Sequence, residues 1–293
     1  MGRYRLVALG VLWDVIDRRH DWLTELPLTA GPPDLRMGVH PLDVSRWLPA
    51  DQYTASELEL RRQLIVEHHD FVHMQPGHDL ALEELLSLVE IHIGDRLVTD
   101  GSPIERLALS VPDDILLMHR AGEGESGEWR LVGGALLFPN HWRLQDKLGQ
   151  PVTTIHSPVE AYDELLAVRV RKFFDRLSPA RPVWRRNWFI NDNSTFFAPD
   201  RSGQLGITDP DQVEGLWIRS EWQTLRKLAF SGMTVFTVKT QVAPMAAVRD
   251  RPELAERLAA FLAQASPLSL DNKHVLGSEK AIIDYLRRPK QSN

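Results

Sequence analysis

The sequence predicts an α+β fold in which helices flank an antiparallel sheet. Strand-like segments occur as consecutive pairs in the middle of the chain, and helical patterns precede, separate and follow them. Strands that follow one another directly pair as antiparallel hairpins, whereas a parallel sheet needs crossover helices. At 293 residues, 43% of them hydrophobic, the chain can bury a sizeable core. We therefore expect one domain over residues 1–293, with a helical N-terminal segment to about residue 110 and C-terminal helices from about residue 250.

The N-terminal half is predicted to contain two helices and a hairpin. Residues 25–53 are loop-like, and periodic apolar positions predict helices over 54–69 and 79–91. Thr54 with Glu57 three residues later is typical of a capping box, and Asp79 opens the second helix. The segments 114–119 and 128–138 are predicted strands joined by a Gly/Glu loop.

The C-terminal half alternates between the two kinds of element. A long helix is predicted over 158–177, because Ser178-Pro179 ends it. Strands are predicted over 182–190 and 214–219, followed by a helical turn over 221–229. Residues 232–242 show the clearest alternation and predict a further strand. The chain closes with predicted helices over 252–264 and 278–287.

Composition excludes several kinds of site. The chain has no cysteine, which rules out disulfides, thiolate zinc sites, Cys-ligated iron–sulfur clusters and thiolate-ligated heme. A net charge of −6 argues against a general nucleic-acid binder. No apolar run approaches the roughly 18 residues of a membrane span. Residues 5–16 loosely resemble a signal peptide, but Asp14 and the lack of a small-residue cleavage site favour a cytoplasmic protein.

Two motifs are better explained without a ligand. The residues from Gly122 to Gly127 match the dinucleotide fingerprint G-x-G-x-x-G, but that fingerprint needs a helix after it, and here a strand follows. We interpret it as a hairpin loop. His68, His69 and His73 resemble metal ligands, yet they lie near a helix end, where solvated histidines are favoured by the helix dipole.

His156 is the strongest candidate ligand in the sequence. Apolar Val152 and Ile155 precede it, and Pro158 follows at the start of the predicted long helix, so its position is well fixed. The alternative is a hydrogen-bonded structural histidine. His141, beside Trp142, is the second candidate.

Several blocks of the chain resemble the alpha-subunit-like family of heme-dependent oxidative N-demethylases. The most specific block contains Phe138-Pro139, Trp142, Lys147-Leu148-Gly149 and Ile155-His156-Ser157-Pro158-Val159. Arg186-Asn187-Trp188 and the segment from Glu221 to Leu228 match further family blocks, and weaker matches extend over most of the chain. Trp222 replaces a family arginine, Ala229 replaces a proline, and Glu160-Ala161 replaces Pro-Gly.

The resemblance implies a PAS-like antiparallel sheet that binds heme b. It implies an oxygenase-type subunit that removes a methyl group from a small amine, consumes O2, releases formaldehyde and receives electrons from a separate flavin/iron–sulfur reductase subunit. Two other interpretations stay open: a non-catalytic heme or small-ligand sensor, and a diverged scaffold that lacks heme.

The resemblance also assigns roles to individual residues. His156 would be the axial heme ligand, with His141 second. The residues that would contact the cofactor are Trp142, Arg143, Arg186, Asn187 and Trp188. Arginines can hold heme propionates by charge-assisted hydrogen bonds, although an exposed arginine pair beside core tryptophans would give the same pattern. Glu221 would meet an ammonium group or accept its proton, unless it is only the acid at a helix N-terminus.

Overall fold

One antiparallel sheet organises the protein. The computed structural model describes residues 20–29, 38–122, 127–156, 164–200 and 203–289. Within these ranges the sheet has seven strands in the order β1-β5-β6-β7-β3-β4-β2, and all neighbours are antiparallel. The strands are β1 (His40–Pro41), β2 (Val72–Met74), β3 (Asp114–Ala121), β4 (Glu128–Ala135), β5 (Val183–Asn191), β6 (Trp217–Lys227) and β7 (Thr234–Pro244).

Helices flank this sheet, which confirms the predicted α+β class. In the described ranges, none of them combines the length and hydrophobicity needed to cross a bilayer. They are α1 (Thr54–Glu67), α2 (Asp79–Ile93), α3 (Pro103–Ser110), α4 (Val152–His156), α5 (Glu164–Arg176), α6 (Met245–Arg249), α7 (Pro252–Gln264), α8 (Pro267–Asn272) and α9 (Glu279–Arg287).

The strand register defines two faces of the sheet. Asn187, Glu221 and Thr240 are cross-strand partners, and we call their side the front face. Arg186, Trp222 and Lys239 are partners one residue out of phase, and their side is the back face. Helix α5 packs against the front face, and α7 and α9 pack against the back face. The α5 cluster contains Met118, Val170, Phe174 and Leu225, and the α7–α9 cluster contains Trp188, Ile190, Ile218, Leu258 and Ile282.

The predicted helical turn over 221–229 is wrong. Strand β6 runs without interruption from Trp217 to Lys227 and pairs with both β5 and β7 along its length. Its side chains alternate between the two faces of the sheet, as in any strand, and the pairing with β5 and β7 holds this segment in the extended conformation. Glu221 therefore lies in a central strand, and the explanation by a helix dipole does not apply to it.

The predicted capping box of α1 is also wrong. Tyr53 is the N-cap residue, and Thr54 Oγ1 accepts a hydrogen bond from the Asp51 amide at 2.8 Å. Glu57 is buried, and its carboxylate forms an ion pair with the buried Lys239 ammonium. Glu57 is therefore the buried counter-ion of Lys239, and an unpaired ammonium in the core would cost much free energy.

Two further boundaries differ from the prediction. Strand β4 ends at Ala135 instead of residue 138, because the amides of Leu137 and Phe138 donate to the Asp114 carboxylate at 2.8 and 3.0 Å. Helix α5 covers 164–176 of the predicted helix, and residues 157–163 lie outside the described ranges. The hairpin prediction is confirmed, since Ala121 pairs with Glu128 across the loop.

Candidate functional site

A cluster of polar side chains that are partly accessible to solvent lies on the front face of the sheet, and we call it the polar cleft. Its floor comes from β5 and β6, where Arg185 pairs with Gln223, Asn187 with Glu221 and Phe189 with Arg219. Arg219 is fully buried beneath the cleft. The side chains that we assign to its walls are all partly buried: Arg185, Asn187, Phe189, Glu221, Gln223, Lys273, His274 and His141.

Glu221 is the acidic group of the polar cleft. Burial raises the pKa of its carboxyl, while the nearby charges of Arg219, Lys273 and Arg185 act in the opposite direction. Gln223 Nε2 donates to Glu221 Oε2 at 2.8 Å. A carboxyl with a raised pKa holds its proton closer to neutral pH, and such groups are typical of sites that exchange protons.

Lys273 brings an amine into the same cleft. It follows α8, and its carbonyl accepts a hydrogen bond from the Ile190 amide, which docks it on the free edge of β5. Its Nζ donates to Asn187 Oδ1 at 2.9 Å. Burial, followed by the charge of Arg185, lowers the pKa of the Lys273 ammonium to about 7, and Glu221 opposes this shift.

Arg185 adds a second cation to the cleft. Its guanidinium makes no hydrogen bond with any residue in the described ranges, although Glu221 stabilises its charge from a distance. Burial lowers its pKa. A guanidinium presents five donors in a fork that matches a carboxylate, so Arg185 is equipped to bind an acidic ligand group.

Two buried ionic groups hold the wall that carries His141. Arg219 Nη2 donates to the Phe138 carbonyl at 2.7 Å, and its Nη1 donates to the carbonyls of Thr195 and Phe196 at 3.0 Å. Asp114 holds the preceding amides. The backbone of the wall segment 137–141 is thus held through its amide groups, which donate to Asp114, and through its carbonyl groups, which accept from Arg219.

His141 and His274 contact each other at one side of the polar cleft. Their ring centroids are 4.5 Å apart in a T-shaped arrangement, and His274 stacks on Phe189 at 5.2 Å. Both histidines have left-handed backbone conformations, with φ of 63° and 64°. Non-glycine residues of this kind are uncommon and cluster at functional sites. His141 Nδ1 donates to the Asp200 carbonyl at 2.9 Å, which leaves the ring lone pair on Nε2.

Two of the predicted site residues lie on the opposite face. Arg186 and Trp188 point to the back face, whereas Asn187 and Glu221 point to the front. The Arg186 guanidinium donates hydrogen bonds to Glu25 Oε2 at 2.8 Å and to Gln241 Oε1 at 2.7 Å. The expectation that residues 186, 187 and 188 contact one ligand is therefore corrected, since consecutive strand residues alternate.

Trp142 and Arg143 lie next to the His141 wall. Trp142 is partly buried and packs against the main hydrophobic cluster. Arg143 is 42% exposed and pairs with Asp200 at 2.7 Å, which raises its pKa. Its guanidinium is thus already engaged by an acid at the protein surface.

His156 is the last residue of α4, and its side chain lies outside the described part of the structure. The start of α4 is anchored to β4 through the pair of residues Arg130 and Pro151. Among the described residues, no group of three or more His, Asp or Glu side chains could hold a metal ion. His68 and His69 directly follow the end of α1, where the sequence predicts solvated histidines, and His69 is 72% exposed beside Glu105.

Sequence reasoning missed Lys273 and His274 completely. The segment 271–275 matches no motif, and only its docking on the β5 edge brings it to the cleft. Arg219 could have been found from the alternation in β6, which places it on the same face as Glu221.

A comparison with protein-family models identifies the relationship of the chain. Residues 90–283 match the family described as haem-dependent oxidative N-demethylase, alpha subunit-like. The matched region includes the whole polar cleft, from the His141 wall to Lys273 and His274. The protein therefore belongs to the alpha-subunit-like family of heme-dependent oxidative N-demethylases.

Proposed function

We propose that this protein is the oxygenase-type subunit of an oxidative N-demethylase that acts on a small amine. It would bind heme b on a PAS-like single domain, use O2, and receive electrons from a separate flavin/iron–sulfur reductase subunit. The observation that carries the proposal is the polar cleft on the front face, in a chain of this family. The cleft combines cationic groups, a carboxyl whose pKa is raised by burial and two histidines.

The charges of the cleft fit the acid groups of a heme. Arg185 and Arg219 supply guanidinium groups, and Glu221 is the carboxyl that faces them. Heme b carries two propionates, and guanidinium groups bind such carboxylates by paired, charge-assisted hydrogen bonds. Arg185 is the best placed of these groups, because its guanidinium has no hydrogen-bond partner in the described ranges. We propose Arg185 for this role in place of Arg186.

The axial ligand is proposed to be His156, with His141 as the alternative. His156 lies in the motif that resembles the family pattern, at the end of a helix anchored on β4. His141 meets a requirement of metal-binding histidines, since its Nδ1 is oriented by a backbone carbonyl and its lone pair is on Nε2. Trp142 and Asn187 would complete the surroundings of the cofactor.

A bound heme would supply the activation of O2 for oxidation of an N-methyl group. The protein would position the amine and manage its proton. Glu221 is proposed to meet the amine nitrogen, since burial raises the pKa of its carboxyl and a carboxyl of this kind can exchange a proton with an amine. Phe189 and the buried strand residues below would keep bulk water from the amine.

The test is an absorption spectrum of the protein expressed with a heme precursor, for the wild type, His156→Ala and His141→Ala. A Soret band that shifts in His156→Ala alone supports His156 as the ligand, and a shift in His141→Ala alone assigns that role to His141. Amine-dependent O2 uptake with formaldehyde release, driven by an artificial reductant, tests the reaction. A wild type without a Soret band would overturn the proposal and leave the scaffold interpretation.

A heme protein without amine-dependent O2 uptake would instead favour the sensor interpretation. The Arg185→Gln variant gives an independent check, because it should weaken heme binding without removing either candidate ligand. Arg143→Gln is the matched control, since Arg143 already pairs with Asp200 and is 42% exposed.

A further inference from the structure

Lys273 occupies an unusual place for a lysine. Its ammonium lies 4.9 Å from the ring centroid of Trp188 and 5.4 Å from that of Phe189, at the edge of β5. Its hydrogen-bond partner is the neutral Asn187 amide, at 2.9 Å. It forms no ion pair with a residue in the described ranges. Its ammonium is thus held by a neutral amide and two aromatic rings rather than by a carboxylate of the described ranges.

The charged groups around Lys273 come from each element that packs against it. Strand β5 contributes the cation of Arg185, and β6 contributes the carboxyl of Glu221. The loop that follows α8 contributes His274, which faces His141. Lys273 and Glu221 are therefore a base and an acid in the same cleft, and both retain some solvent access.

We propose that Lys273 is a catalytic residue that accepts the proton of the substrate's ammonium group, with Glu221 as its partner in proton exchange. This inference rests on the proposed function. At neutral pH a small alkylamine is protonated, and its nitrogen lone pair is then blocked. The proton would move from the substrate nitrogen to the lone pair of Nζ, and nothing is oxidised or reduced in this step. The neutral amine would be left for oxidation, and the proton would return to water through Glu221.

The electrostatic surroundings support this role. Burial and Arg185 bring the pKa of Lys273 to about 7, and burial raises the pKa of Glu221. A base is most effective when its pKa lies near the working pH, because both of its protonation states are then populated. An ordinary lysine, with a pKa of about 10.4, would be protonated already and could not accept a proton.

The first experiment measures the protonation of Lys273 without any catalysis. The protein, purified with any bound heme, is labelled with trace acetic anhydride at a series of pH values between about 6 and 11, and the lysine-containing peptides are quantified by mass spectrometry. Lys280 is the internal reference, because its side chain is 90% exposed. We expect a labelling midpoint near neutral pH for Lys273, against about pH 10.4 for Lys280.

Two variants make the labelling test specific to the cleft. Arg185→Gln should raise the midpoint of Lys273, because it removes a neighbouring cation, and Glu221→Gln should lower it. Neither change should affect Lys280. A wild-type midpoint of Lys273 equal to that of Lys280, or one that ignores both variants, would overturn the inference.

The second experiment measures turnover of the heme-loaded protein. Lys273→Met should lose about 100-fold in amine-dependent O2 uptake near neutral pH, with its Soret band unchanged. The loss should shrink as the pH approaches about 10, where the free amine is present without a base. A structural defect would not be rescued by pH in this way. Lys280→Met is the matched control and should keep the wild-type profile.

The outcomes distinguish the inference from the proposed function. If the wild type turns over the amine and Lys273→Met keeps its pH profile, only the role of Lys273 is overturned. If the wild type binds no heme or oxidises no amine, the proposed function fails and the proton-accepting role fails with it.

Discussion

At the scale of single residues, buried charges in this protein differ in how completely they are satisfied. Asp114 binds Arg61 at 2.8 Å and also accepts hydrogen bonds from two backbone amides. The neighbouring Asp113 is just as buried, yet neither carboxylate oxygen has a hydrogen-bond partner in the described ranges. Because buried polar groups are normally hydrogen-bonded, a negative charge on Asp113 is expected to destabilise the folded state.

We expect Asp113→Asn to stabilise the protein at neutral and alkaline pH. Burial raises the pKa of Asp113 from 3.8 to about 7, so the folded state binds the extra proton between these values. The loss of folding stability caused by Asp113 is therefore absent below about pH 4, grows as the pH rises, and is complete above about pH 7. Urea unfolding should show a gain of roughly 1 kcal/mol or more near pH 8 and almost none near pH 4, since one pKa unit corresponds to about 1.4 kcal/mol.

The control for this prediction is Asp284→Asn, which alters a partly exposed carboxylate beside Lys280. Exposed pairs contribute little, so this variant should change the unfolding free energy by less than about 1 kcal/mol at either pH. An Asp113→Asn variant that is equally destabilised at both pH values would contradict the linkage argument.

The ion pair beneath the His141 wall gives a second prediction at this scale. Asp114→Asn would leave Arg61 buried without a counter-ion, and we expect a loss of about 3–5 kcal/mol of stability. Replacing both residues, with Arg61→Met and Asp114→Asn, should cost less than the sum of the single changes. A double-mutant cycle in urea unfolding measures this coupling, and additive losses would argue against a direct pair.

At the scale of elements, the sequence predicted what depends on local pattern. The strand over 232–242 and the helices over 79–91 and 252–264 were found because each has a clear apolar period. Strand β6 was misread, since its polar and apolar residues alternate between two buried faces and the pairing with β5 and β7 is not visible in sequence. Tertiary pairing overrides weak local preference in such strands.

The candidate site was predictable to a similar degree. His141 was identified from its surroundings in the sequence, and Glu221 and Asn187 were identified through the family resemblance; all three lie at the polar cleft. Arg186 and Trp188 lie on the back face, because successive residues of β5 alternate between the faces. The role of His156 came from resemblance. Lys273 and His274 could not be found, because their contact with β5 joins segments more than 80 residues apart and leaves no local signal.

Strand alternation leads to a prediction about the consecutive arginines of β5. Arg185→Gln should weaken heme binding about tenfold or more, because it removes a cleft cation that charge-assisted hydrogen bonding would use. Arg186→Gln should leave heme affinity nearly unchanged and lower stability, since Arg186 holds Glu25 on the back face. Heme titration followed at the Soret band checks the first effect and urea unfolding the second. The reverse pattern would return the propionate role to Arg186.

At the scale of the whole molecule, the sheet connects the cleft to three hydrophobic clusters of the described ranges. The clusters that contain Leu117, Ile218 and Leu225 all include strand residues of this one sheet. A ligand on the front face therefore binds only the folded state, because unfolding of β5 or β6 would remove the floor of the cleft together with part of the core. Binding to the native state alone stabilises it by about 2.7 kcal/mol at 100 times the dissociation constant.

This linkage predicts how heme and stability vary together. Heme added in excess should raise the unfolding temperature of the wild type by several degrees, as a change of about 1 kcal/mol shifts larger domains by roughly 2–4 °C. The rise should be smaller in Arg185→Gln at the same heme concentration, and it should be fully retained in Arg143→Gln, whose guanidinium is engaged by Asp200. Differential scanning calorimetry with and without heme makes the measurement. An equal rise in all three proteins would show that Arg185 does not contribute to heme affinity, because the stabilisation at a given heme concentration depends on the dissociation constant.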